Sequence, residues 1–136
     1  MLRTHVNYFL AVLYRRNQAT MKFTSDSGVV VIAKLQLGVL LFFYVYPITG
    51  ALGRFWTHRE TDLHLTSSNY LDSVLLAGAF FVPVHLLAWP TARLVAFAAD
   101  EENQSIMQQA QQTLLVLLII GFILLIVLAK YNVGTL

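Results

Sequence analysis

Residues 113–129 read TLLVLLIIGFILLIVLA, an unbroken apolar run closed by Lys130 and Tyr131. A charge-free run of this length suits an α-helix crossing hydrocarbon, where each backbone N–H and C=O must be bonded within its own segment. Upstream, Ser105 to Gln112 consists largely of acceptable helix formers, and Asp100-Glu101-Glu102 places negative charge where a helix N-terminus favours it. One helix is therefore predicted from about Asp100 to Lys130, roughly 45 Å long at 1.5 Å per residue, with its first third outside the bilayer.

Two other stretches have the same character. Thr24-Ser25-Asp26-Ser27-Gly28 is a turn and helix-start cluster, and Val29 to about Leu52 follows as an apolar span carrying Lys34 and Gln36 early and Pro47 late. A span from Tyr70 to about Pro90 contains Pro83, which should kink the helix or free a carbonyl. Thr91 to Ala99 is expected to continue helically along the surface. The fold class predicted is an all-α membrane protein with three transmembrane helices, at about 29–52, 70–90 and 110–130. A polar loop at 53–69 and a helical extension at 100–112 complete a domain covering 28–136.

The first 27 residues differ from the rest. They are acid-free until Asp26 and carry Arg3, Arg15, Arg16 and Lys22 around the run Val6–Tyr14. Leu2, Val6, Phe9, Leu10, Leu13 and Tyr14 recur at roughly helical spacing, so a basic amphipathic helix in the interface plane is expected; the same composition also fits a mitochondrial targeting segment.

Composition narrows the function classes. Of 136 residues, 57% are apolar and only 12% charged, which disfavours a soluble fold and leaves no length for a separate extramembrane enzyme domain. The lack of cysteine excludes disulfides, thiolate zinc sites, iron–sulfur ligation and c-type haem attachment. A dispersed net charge of +2 is no footprint for nucleic acid. The basic residues read instead as topology signals. Arg15, Arg16, Lys22, Lys34 and Arg93 flank one side and Arg54, Arg59 and Lys130 the other, which predicts the N-terminus on the cytoplasmic or matrix side of a bacterial or mitochondrial inner membrane. Lys34, Trp56, Trp89, Arg93, Lys130 and Tyr131 are the expected interface anchors.

Few residues suggest chemistry. His85 is an ionisable group inside the second span, a position that marks a functional candidate because burying such a group in lipid is costly. With Arg93 it forms a candidate contact for haem b or a quinone, though a neutral imidazole bonded to a carbonyl freed by Pro83 or to a neighbouring helix explains His85 fully. The chain offers no second intramembrane histidine, so a haem ligated on both faces would need one from another subunit. Lys34 and Gln36 could pair with polar groups on a partner helix, or Lys34 could snorkel to the headgroups. In the loop, His58, Glu60, Asp62 and His64 fall at every second residue and would share one face of an extended chain, a donor set suited to zinc or another divalent ion; ordinary solvation accounts for them as well. No phosphate-binding glycine loop, zinc-protease helix or nucleophile elbow is present, and no enzymatic activity is predicted.

These observations suit a non-catalytic accessory or structural subunit of a multi-subunit inner-membrane complex, of respiratory, energy-transducing or secretion type, whose partners are the lipid bilayer and other integral membrane subunits. A haem- or quinone-binding anchor of an electron-transfer complex and a small holin-like or transport component are the alternatives. In layout, the chain resembles the small three-span subunit of haem–copper quinol oxidases, which carries a histidine in its second span where His85 lies here. That likeness is one of pattern, and colicin-immunity, phage-exclusion and conjugation-associated membrane proteins share the architecture.

Overall fold

The computed structural model describes residues 1–22, 24–57 and 69–132, and among these the only regular structure is helical. The elements are α1 (Leu2–Thr20), α2 (Asp26–Thr57), α3 (Asn69–Leu87), α4 (Thr91–Ala99), a 3-10 turn (Glu101–Asn103) and α5 (Gln104–Asn132). Among the described residues two stretches are long and apolar enough to cross a membrane, Asp26–Thr49 in α2 and Glu101–Leu128 through the 3-10 turn and α5. A third is added if α3 and α4 together make one broken span, and the apolar character of these helices points to a lipid environment.

Helix α2 is the centre of the assembly. Both α3 and α5 pack along it, while α3 and α5 barely touch one another. Where α5 meets α2, a Cβ on Gly121 would come within 2.9 Å of Tyr44 Cε2, so only glycine admits the tyrosine ring at this depth. The Tyr44 hydroxyl donates to the Leu117 carbonyl on the same turn of contact. Against α3, Gly38 brings α2 into ordinary contact with the backbone of Phe80 and Phe81.

Pro83 lies within α3, whose helix continues through it. The sharp change of direction comes later: α3 and α4 are inclined by 70° across Ala88–Pro90. Pro90 has no N–H to offer the preceding turn and disfavours helical conformation in the residue before it, and α3 ends just ahead of it. With φ −53° and ψ 144°, Pro90 then caps α4, and its carbonyl receives the N–H groups of Arg93 and Leu94. A second punctuation separates α4 from α5. The Asp100 carboxylate accepts from the Glu102 N–H, and the Asn103 amide donates to Asp100 and to the Phe97 carbonyl. The predicted helix from Asp100 thus starts with a 3-10 turn at Glu101–Asn103 before α5 proper.

Helix α1 is a structural member of the protein. Its buried stripe is Asn7, Leu10, Ala11, Tyr14 and Asn17, at three- and four-residue spacing, and it faces α2, α4 and α5. Leu10, Ala11, Tyr14, Val29, Val30, Ala33, Leu94 and Met107 form one apolar cluster where the four helices meet. Beyond that cluster, α5 is bare: Leu115, Val116, Leu118, Ile119, Ile120, Phe122, Ile123, Ile126 and Val127 are all exposed.

Candidate functional site

The polar side chains converge where α1 crosses the other helices, and each is placed by local sequence. Asn7 lies in the middle of the α1 stripe, fully buried, opposite the break that Pro90 imposes between α3 and α4. Its amide donates to the Leu87 carbonyl at 3.0 Å and to the Arg3 carbonyl at 2.6 Å, and its Oδ1 accepts the Trp89 N–H at 2.6 Å. Leu87 and Trp89 sit at a helix end, where backbone groups lack intrahelical partners. Asn7 therefore completes the backbone bonding of an element eighty residues away.

Two further contacts hold α1 to α2. The Tyr14 hydroxyl donates to Asp26 Oδ1 at 2.6 Å. Burial, and then the carboxylate beside it, pushes the phenol up to about 12. Asn17 and Gln36 make a reciprocal amide pair, Asn17 Nδ2 to Gln36 Oε1 at 2.9 Å and Gln36 Nε2 to Asn17 Oδ1 at 3.3 Å. On the other face of α1, Tyr8 stacks on Phe97 with ring centroids 5.3 Å apart, and Trp89 meets both rings edge-on. This aromatic cluster fastens α1 to the α3–α4 elbow.

Lys34 and His85 come together between α2 and α3. Lys34 is buried, and its Nζ lies 3.4 Å from His85 Nδ1. Beside a charged ammonium, which can only donate, Nδ1 of a neutral imidazole accepts and carries its hydrogen on Nε2. The ring is exposed and stacks on Phe81, with centroids 5.7 Å apart.

The remaining expected residues lie apart from this pair. The guanidinium of Arg93 lies 4.4 Å above the Trp89 ring, beyond the elbow from His85. Lys130 is exposed in the last turn of α5, and Trp56 and Tyr131 fall in the terminal turns of α2 and α5. His58, Glu60, Asp62 and His64 lie outside the described residues, and among the described residues no cluster of three histidines or carboxylates could hold a metal ion.

Sequence reasoning passed over Asn7, Asn17 and Asp72, the last buried in the first turn of α3. A signal for the two asparagines existed, because both fall on the apolar stripe of an otherwise amphipathic helix. A polar residue there needs a buried partner. No family model, curated protein or solved structure matches this chain. Fold and contacts define a helical protein with membrane-spanning character whose polar groups chiefly tie its own helices together.

Proposed function

We propose that the chain is a non-catalytic accessory subunit of a multi-subunit inner-membrane complex, inserted by three spans with its N-terminus on the cytoplasmic or matrix side. The observation that carries this reading is the open arrangement around α2. Because α3 and α5 pack on α2 and barely on each other, the helices leave apolar surface for neighbours. One part of it is a cleft of about 300 Å³ between α2 and α3, with Gly38 and Ala77 among its walls beside Leu35, Phe42 and Phe80. Small residues at such a place allow close approach of another helix, which is how helices associate within lipid. The polar network supports the same reading, since Asn7, Tyr14, Asn17 and Gln36 are spent on internal bonds.

The test is extraction in mild detergent followed by native electrophoresis of the tagged chain. Wild type should migrate in a discrete complex with a constant set of other subunits, and Ala77→Trp, which fills the cleft from an exposed position, should release it. Migration of wild type as a lone chain would refute the proposal. A second reading rests on His85: with Nδ1 beside the Lys34 ammonium, an Nε2–H on this exposed residue would suit the carbonyl of a quinone. In that case His85→Phe should abolish quinone binding while leaving the complex assembled, and no Soret band should accompany the wild type.

A further inference from the structure

A half-open groove of about 660 Å³ lies between α1 and α5, away from the Lys34–His85 pair. Its lining changes character along its length. Along α5 the wall passes from Gln108 and Gln111 in its first turns to Leu115 and Leu118 inside the apolar run, and α1 contributes Arg15 and Arg16 to the same groove. Arg15 and Arg16 are exposed, and neither guanidinium has a hydrogen-bond or ion-pair partner among the described residues.

We propose that this groove binds one anionic phospholipid, its phosphate held by Arg15 and Arg16 with glutamine amides at the rim, and an acyl chain lying along Leu115 and Leu118. Three features select a lipid over a protein segment. Two adjacent unneutralised guanidiniums present forked donors to a phosphate, which only accepts hydrogen bonds. The polar-to-apolar order along α5 is that of a lipid from headgroup to tail. The change falls at Thr113, where the apolar run begins, so the glutamines of the groove stand toward the headgroups and the leucines toward the tails. The inference requires insertion in a bilayer but is independent of which complex, if any, the chain joins.

The test is native mass spectrometry of the full chain released from nanodiscs containing equal parts phosphatidylglycerol and phosphatidylcholine. Wild type should retain a single phosphatidylglycerol with a preference of roughly ten- to thirtyfold over phosphatidylcholine. The double variant Arg15→Gln/Arg16→Gln should lose that preference. The control Arg3→Gln/Lys22→Gln removes equal charge outside the groove and should keep it, and circular dichroism should show all three proteins equally helical. Leu118→Trp should weaken retention of both lipids without altering the preference per bound lipid. Equal retention of the two lipids by wild type, which would leave the groove to a protein partner, would overturn the proposal. So would loss of preference in the control, which would reduce the effect to net charge, or displacement of the lipid by inorganic phosphate alone.

Discussion

Asn7 shows how much of this molecule turns on single polar side chains. It satisfies the carbonyl that ends α3 and an N–H within the α3–α4 break, so Asn7→Ala leaves two part-buried backbone groups without partners. At about 1–3 kcal/mol for each unmet group, the variant should be destabilised by roughly 2–6 kcal/mol, read as a lowered midpoint of thermal unfolding in detergent. Asn7→Asp should also be impaired, since a carboxylate accepts from Trp89 but cannot donate to Leu87. Tyr14 gives a pH dependence. Its phenol titrates near 10 when unfolded and near 12 when folded, so its contribution to stability is complete below about pH 10 and lost as pH climbs toward 12. Phenolate absorbance should show one tyrosine titrating late, and Tyr14→Phe should flatten the alkaline decline in stability. None of these pairings was legible in the sequence. Lys34 and Gln36 were identifiable as polar positions needing partners, but Asn17 and His85 as those partners depend on how distant helices cross.

Among the elements, the sequence was most legible where hydropathy alone decides. The apolar run closed by Lys130 gave α5, and the turn cluster at Thr24–Gly28 gave the start of α2. The break in the second span was harder to place, because two prolines compete. Pro83 is absorbed within α3, whereas Pro90 ends it, and the difference lies in what receives the freed groups: Asn7 and the aromatic cluster of Tyr8, Trp89 and Phe97 stand at the second site. Helix α1 was legible as amphipathic, but not as a packed helix, since an apolar stripe fits lipid and protein equally. Two glycines make an internal comparison at this scale. Gly121→Leu should drive α5 away from α2 by clashing with Tyr44, costing about 1–3 kcal/mol or more, whereas Gly78→Leu meets nothing within 4 Å and should be neutral or mildly stabilising. Thermal unfolding of both variants in the same detergent provides the measurement.

For the whole molecule, the governing fact is the imbalance between packed and exposed apolar surface. One cluster where α1, α2, α4 and α5 meet is buried, while most of the apolar run of α5 stays exposed, an arrangement that in water would be an aggregation site. Hydrocarbon as solvent removes the conflict. The absence of native cysteine makes this directly testable, because any introduced cysteine is the sole thiol. Single variants Leu118→Cys, Ile123→Cys, Glu101→Cys and Lys130→Cys should be challenged in intact membranes with a membrane-impermeant maleimide applied from each side in turn. Positions 118 and 123 should stay unlabelled until the membrane is dissolved and the chain denatured, and 101 and 130 should label from opposite sides. Labelling of 118 and 123 in intact membranes, or of 101 and 130 from the same side, would contradict this.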